Sequence, residues 1–196
     1  MAGEKTIFYH RRSLRLKKYD YSQPGAYFIT ICTQGHECLL GEIKDSQMLV
    51  NSAGNIVQQC WHDLPNHYPG LELDSFGIMP NHLHGILVLG KERTDFNLRA
   101  GFKPAPTKIR APKVHGIPEI VRGFKTFSAR RINRICQTTG VKFWQRSYYE
   151  HVVRSEKELD RIRQYIIYNP LSWSLDRENP EGKGHDKTED WLYGSA

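Results

Sequence analysis

Hydrophobic and polar positions change period along the chain, and the changes mark out its elements. Residues 26–33 (AYFITICT) are rich in β-branched and aromatic side chains, so they predict a first strand after a turn at Pro24-Gly25. Gln34-Gly35-His36 reads as a hairpin turn into a second strand near 37–44. Ser52 is an N-cap candidate for a helix running to Leu64, ahead of Pro65. The run LELDSFGIMPNHLHGILVLG, residues 71–90, predicts two strands, 71–78 and 82–89, broken at Met79-Pro80-Asn81. Residues 91–116 show no period and are read as a mobile loop. Pro118 stands where a helix can start and Gly140 where it can end. Between them Ile120, Val121, Phe124, Phe127, Ile132 and Ile135 fall within one arc of a helical wheel. Arg122, Lys125, Arg130 and Arg134 fall outside it, giving a basic outer face. Residues 143–153 suit another strand. Ser155 and Glu158 form a capping box for a last helix, which Pro170 stops after Asn169.

The order β-β-α-β-β-loop-α-β-α predicts an α+β fold. It would be an antiparallel sheet with helices on one or both faces, of the ferredoxin-like or RNA-recognition type. The 196 residues suit one domain. Its expected parts are a basic arm over 1–25, a folded body over 26–170 and a polar tail with little to bury over 171–196. No apolar run approaches the ~20 residues a membrane span needs. The charged N-terminus offers no signal-peptide core. Cys32, Cys38, Cys60 and Cys136 form no CxxC pair, which argues against a zinc knuckle or redox motif and fits free thiols in a reducing cytoplasm.

Charge sharpens the picture. The net charge is +7, but residues 96–149 hold twelve Lys/Arg against the single acid Glu119. Residues 1–25 hold six against Glu4 and Asp20, and the remainder is acidic. Two basic segments of this kind are an electrostatic footprint for a polyanion, where a solvating face would mix signs. The arm supplies Arg11, Arg12, Arg15, Lys17 and Lys18, interleaved with tyrosines. The helix near 119–138 supplies Arg122, Lys125, Arg130 and Arg134. Together they offer the cations and rings that bind single-stranded nucleic acid.

Two constellations carry chemistry. In a strand, His82 and His84 point to the same face, able to grip one divalent ion and leave coordination positions open for a phosphate. A pair of hydrogen-bonded histidines without metal is the plainer alternative. In the last helix, Tyr165 and Asn169 lie four apart, one turn from each other at the edge of the stripe Leu159, Ile162, Ile166. There a phenol can attack a phosphodiester and an amide oxygen can complete a metal site. A half-buried tyrosine and a helix-ending asparagine would look the same. Tyr148, Tyr149 and Tyr168 compete for the nucleophile's role, but only Tyr165 shares a face with a candidate ligand one turn on.

The run Met79-Pro80-Asn81-His82-Leu83-His84, with the later Y-x-x-x-N-P ending, resembles the HUH single-tyrosine transposases, and among them the REP-associated tyrosine transposases. The matching stretches are RRSLRLKKYDYSQPGAYFITICTQ (11–34), FGIMPNHLHGILVL (76–89), IVRGFKTFSARRIN (120–133) and WQRSYYEHVVRSEKELDRIRQYIIYNP (144–170), and with the trailing LSW the resemblance spans residues 9–173. It implies the HUH endonuclease fold. It also implies Mg²⁺ or Mn²⁺ held by His82, His84 and Asn169, and Tyr165 as the nucleophile. The reaction would be cleavage and strand transfer on hairpin-containing (REP-like) single-stranded DNA through a covalent 5′-phosphotyrosine. A bacterial, nucleoid-associated cytoplasmic protein is expected, and monomer or homodimer stays open. Two other classes also stay open: a non-catalytic module with an RNA-recognition-like sheet, and a metal nuclease using water.

Overall fold

The first strand, β1 (Gly25–Cys32), alternates between two apolar environments rather than between core and water. Tyr27, Ile29 and Ile31 enter one core cluster and Phe28 enters another. A strand covered on both faces belongs in the middle of a sheet. Accordingly β1 pairs antiparallel with both β5 (His82–Leu89) and β6 (Tyr149–Val153), and β5 pairs antiparallel with β4 (Leu71–Ile78). The sheet order is β4-β5-β1-β6. These features come from a computed structural model, whose described residues are 19–90, 115–182 and 191–192.

Both faces carry helices. The larger core lies under α1 (Ser52–His62), α2 (Leu64–His67) and α3 (Ile117–Ile135), where Trp61, Ile120, Val121 and Phe124 meet Leu83 and Leu87. The smaller core lies under α4 (Glu156–Tyr168), where Leu159, Ile162, Tyr165 and Ile166 meet Phe28 and Ile86. The fold is therefore α+β, an antiparallel four-stranded sheet between helical layers. Strands 71–78 and 82–89 fall where the sequence predicts them.

Two devices seat α4. Gly77 of β4 leaves room for Ile166, since a Cβ there would stand 3.0 Å from its Cγ2. Arg163 donates to both carboxylate oxygens of Asp74, at 2.9 and 2.6 Å, a fork-to-carboxylate match between α4 and β4.

Several expectations are corrected. The turn at Gln34–His36 does not return the chain along β1; it leads away from the main sheet. The residues after it form β2 (Gly41–Lys44), which pairs with an unforeseen β3 (Gln47–Val50) in a separate hairpin. The hairpin turns at Asp45 and Ser46, both with positive φ (50° and 60°), as a two-residue primed turn requires. Asn51, not Ser52, caps α1, its side chain accepting from Gly54 N at 3.0 Å. The buried stripe of α3 centres on Ile117, Val121, Phe124, Ser128 and Ile132, leaving Phe127 and Ile135 exposed. Ser128 fits inside because its hydroxyl accepts from Trp144 Nε1 at 2.9 Å. The helix ends at Ile135, five residues before Gly140.

The capping box at α4 forms by half. Ser155 Oγ accepts from Glu158 N at 3.2 Å, but the Glu158 carboxylate binds Arg154 N and His151 instead of the Ser155 amide. Tyr21, read as part of the arm, is buried, and its carbonyl accepts from Ile117 N at 3.0 Å. Residues 171–182 are not a tail with little to bury. A 3-10 turn, Asn169–Leu175, continues from α4 past Pro170, and Asp176 and Glu178 are buried. Residues 91–114 of the loop expected over 91–116, and the arm residues Arg11, Arg12, Arg15, Lys17 and Lys18, lie outside the described residues.

Gly85 sits on β5 facing α1, and an added Cβ would stand 2.2 Å from Trp61 Cζ2. Trp61 is fully buried, so it has nowhere to retreat. Gly85→Ala is expected to destabilise the protein by about 1–3 kcal/mol through overpacking, read as a lowered urea midpoint at constant m. An unchanged midpoint would mean that the Trp61 ring yields freely.

Candidate active site

The period of two along β5 puts His82, His84 and Ile86 on the face that α4 covers. Register sets their neighbours: Thr30 lies opposite His84, and Cys32 opposite His82. Both imidazoles are fully buried, with exposures of 0% and 1%. Their Nε2 atoms face each other at 2.9 Å, and their rings meet edge to face with centroids 4.5 Å apart. Phe28 stacks on His84 at 5.4 Å.

The outward nitrogens have partners. His82 Nδ1 lies 2.8 Å from Asn81 Oδ1, and His84 Nδ1 lies 2.9 Å from Thr30 Oγ1. Asn81 is oriented by its other end: Nδ2 donates to the carbonyls of His36 at 3.0 Å and Glu178 at 2.5 Å. An amide nitrogen must face two carbonyl oxygens, so Asn81 Oδ1 must face His82. His82 therefore carries a proton on Nδ1, which leaves Nε2 as the nitrogen that can offer a lone pair. Thr30 imposes no such choice, because a hydroxyl both donates and accepts. His84 Nε2–H can thus donate to His82 Nε2, and after a tautomer exchange both Nε2 lone pairs can face a cation. Outer partners that fix ring orientation in this way accompany metal-binding histidines generally.

Burial, and secondly the neighbouring His82, hold the His84 pKa well below the usual imidazole value, so the ring stays neutral. Asp176 reaches in from beyond the 3-10 turn, with Oδ2 3.7 Å from His82 Nε2. Its pKa is raised by burial, which opposes the charged form. His82, His84 and Asp176 offer donor atoms all within 4.8 Å of one another. Asp176 is the residue that sequence reasoning missed.

Tyr165 and Asn169 also come to this place. Tyr165 Oη lies 3.3 Å from His84 Nε2, with ring centroids 5.1 Å apart. Asn169 Nδ2 donates to Asp176 Oδ2 at 3.1 Å. Asn169 Oδ1 is shielded from solvent and has no hydrogen-bond partner among the described residues. Both residues are buried, at the edge of the stripe Leu159, Ile162, Ile166 where the sequence reading placed them.

The donor set suits a hard divalent ion. Two ligands about 2.1 Å from an octahedral centre and at right angles lie about 3 Å apart, which the 2.9 Å between the Nε2 atoms matches. The orphaned Asn169 oxygen and the Asp176 carboxylate supply the oxygen donors that such ions prefer.

The competing tyrosines lie elsewhere. Tyr149 is buried on the same sheet face, with its hydroxyl donating to the Leu192 carbonyl. Tyr168 is exposed on α4, and Tyr148 packs half-buried against the larger core. A groove of about 670 Å³ runs along α4, lined by Lys157, Arg161, Gln164 and Tyr168 as well as Tyr165 and Asn169.

The basic helix is not part of this cluster. Because α3 covers the opposite sheet face, Arg122, Arg130 and Arg134 stay solvent-exposed there, a sheet thickness from the histidines. Lys125 does not belong to a free basic face. Its ammonium donates to the carbonyls of Gln145, Arg146 (3.0 Å) and Ser147 (3.3 Å), and burial pushes its pKa down to about 8.

The sheet and its helical layers are a fold shared with a solved tyrosine transposase. A solved structure of a REP-associated tyrosine transposase bound to a REP hairpin superposes with a TM-score of 0.51, at 15% identity over 92% of this chain and 87% of that one. Residues 107–169, a stretch ending on Asn169, match the family described as IS200-like transposase. It is 44% identical over 177 residues to an uncharacterised protein of Haemophilus influenzae, covering 86% of this chain and 93% of the relative. It is 23% identical to a putative REP-associated tyrosine transposase of the same organism, over 88% of this chain and 90% of the relative. No helix among the described residues is long and apolar enough to cross a membrane.

Two predictions follow from the histidines. In chelator, nitrogen NMR should find His82 as the Nδ1–H tautomer; an Nε2–H signal for His82 would contradict the Asn81 argument. The second concerns pH. Folded His84 stays neutral while unfolded histidine takes up a proton below its ordinary value of 6.5. Unfolding thus binds a proton, and stability falls as pH drops below that value, by up to ~1.4 kcal/mol per unit for this one group. Asp176 acts with the opposite sign, destabilising as pH rises above its ordinary 3.8. Urea unfolding of wild type and His84→Asn in chelator should show a difference that shrinks from pH 7.5 to 5.5. A difference constant with pH would mean that His84 titrates normally.

Proposed function

We propose that the chain is a metal-dependent single-strand DNA endonuclease and strand transferase that cuts through a covalent 5′-phosphotyrosine. The observation that carries this reading is the approach of the Tyr165 hydroxyl to His84 Nε2 at 3.3 Å, beside two converging imidazole nitrogens. A phenol buried beside a metal-ligating set is the arrangement that nucleophilic attack on a phosphodiester needs.

His82, His84 and Asn169 would hold Mg²⁺ or Mn²⁺, with the Asp176 carboxylate as a further oxygen donor. The bound ion supplies positive charge that polarises the scissile phosphate and lowers the proton affinity of the phenol. Tyr165 loses its hydroxyl proton and its oxygen bonds to phosphorus. The bond from phosphorus to the 3′ oxygen breaks, and that oxygen takes up a proton as the 3′-OH leaves. The phosphotyrosine keeps the energy of the broken ester, so a second 3′-OH can reverse the step and join a new strand.

The groove along α4 suits the approach of a single strand, with Lys157 and Arg161 for phosphates and Tyr168 for stacking. Arg122, Arg130 and Arg134, on the other face, suit phosphates of a DNA segment that wraps beyond the cut. The hairpin as substrate rests on the sequence resemblance, and is in keeping with the REP hairpin held by the similar solved structure.

The test is incubation with hairpin-bearing single-stranded DNA and Mn²⁺, followed by a denaturing gel. Wild type should give a protease-sensitive, slower-migrating adduct, abolished by chelator and by His82→Ala or His84→Ala. Tyr165→Phe should lose the adduct by at least a hundredfold while binding DNA normally. Tyr148→Phe, Tyr149→Phe and Tyr168→Phe should keep it. Asn169→Ala should weaken it and respond to added Mn²⁺. Cleavage without adduct would instead mean a water-using nuclease, and binding without cleavage a non-catalytic module.

A further inference from the structure

A second set of ligand-type side chains lies beside the histidine pair, and the transfer chemistry makes no use of it. Cys32 ends β1, His36 stands in the turn that follows, and Glu178 comes from the chain beyond α4. A cysteine sulfur, an imidazole nitrogen and a carboxylate oxygen all lie within 4.8 Å of one another there. We propose that Cys32, His36 and Glu178 form a second cation site, specific for a thiophilic divalent ion of the zinc type.

The donor chemistry separates this site from the first. Sulfur, nitrogen and oxygen together favour zinc, whereas magnesium takes oxygen and avoids thiolate. Ligands about 2.0–2.3 Å from a tetrahedral ion stand about 3.5 Å apart, so small rotamer changes within the observed spread would close the set. Cys32 and Glu178 are buried, while His36 reaches solvent and leaves a fourth position for water. Of the four cysteines, Cys32 alone stands in such a set among the described residues, and it forms no disulfide.

The scaffold holds these donors together without the ion. His36 Nδ1 lies 3.0 Å from Glu178 Oε2. His36 adopts a left-handed backbone (φ 56°), unusual outside glycine, directly after Gly35 (φ 67°). Thr33 Oγ1 donates to the Glu37 carbonyl at 2.7 Å, closing that turn. Asn81 Nδ2 bridges the His36 and Glu178 carbonyls, so one side chain sets the separation of two donor-bearing segments. The Lys125 ammonium interacts electrostatically with Cys32. Arg177 Nε, 3.8 Å from Glu178 Oε1, balances the other carboxylate oxygen.

The proposal does not depend on strand transfer, and its test does not read activity. Purified full-length protein, stripped with chelator, is titrated with Co²⁺ under reducing conditions. Wild type should bind two equivalents and show the near-ultraviolet thiolate-to-cobalt charge-transfer absorption. His82→Ala/His84→Ala should keep that absorption and bind one equivalent. Cys32→Ser should lose the absorption and one equivalent, and Cys38→Ser should change neither. His36→Asn and Glu178→Gln should each weaken the absorbing site at least tenfold. Absence of the absorption in folded wild type overturns the proposal, as does its survival in Cys32→Ser. If the histidine double variant does not fold, the loss of one of two equivalents in Cys32→Ser decides the matter.

Discussion

Burial of two imidazoles side by side in one face of the sheet is the constraint on which the site depends. Charged imidazole is expensive there, since His82 and His84 are all but sealed from water. Neutral imidazole needs one donor role and one acceptor role satisfied at each ring. The chain meets that need with Asn81, Thr30 and the contact between the two Nε2 atoms. The result is a pair of rings aimed at each other with the separation that a shared cation requires. Nothing in that arrangement survives a one-residue slip of β5, because a slip would turn both histidines into the opposite core. Trp61 packed against Gly85 guards against such a slip, since no other β5 residue can present so flat a surface.

How legible this was in the sequence varies with the kind of signal. The two strands around Met79-Pro80-Asn81 could be read because a proline break between apolar runs leaves little freedom. His82 and His84 could be placed on one face because the strand period is two. Tyr165 and Asn169 could be placed on one helix face because their spacing is one turn. Burial of that face could not be read, because it depends on how α4 lies on β4, through Asp74–Arg163 and Gly77. Asp176 was hidden for another reason. Residues 171–182 carry few apolar side chains, so periodicity sees a tail. What buries the segment is polar: Asp176 accepts from Asn169 and from the Glu178 amide, and Asn81 reaches the Glu178 carbonyl. Trp173, 6.1 Å from His82 between ring centroids, was the one aromatic clue.

Charge tells a similar story. Counting cations located a basic helix correctly but could not say which sheet face it covers. Lys125 shows why composition overstates a binding surface: a lysine held by three backbone carbonyls organises a loop and has little left for phosphate. Lys157 and Arg161, which line the groove with Tyr165, lie among acids on α4 and so raise no local charge excess. A search for dense basic runs passes over them, although geometry puts them beside Tyr165.

The two proposed ligand clusters share a single short turn. Asp176 faces His82, and Glu178, two residues on, faces His36 and Cys32. Asn81 joins them again, with its oxygen on His82 and its nitrogen on the carbonyls of His36 and Glu178. A change at one cluster must therefore reach the other through bonds of ordinary length rather than through a displaced element. Lifting Glu178 away would leave the His36 carbonyl alone to hold the Asn81 amide, and with it the orientation that puts a proton on His82 Nδ1. The tautomer that leaves His82 Nε2 ready for a cation is in this sense a property of the segment after α4 as much as of the histidine motif.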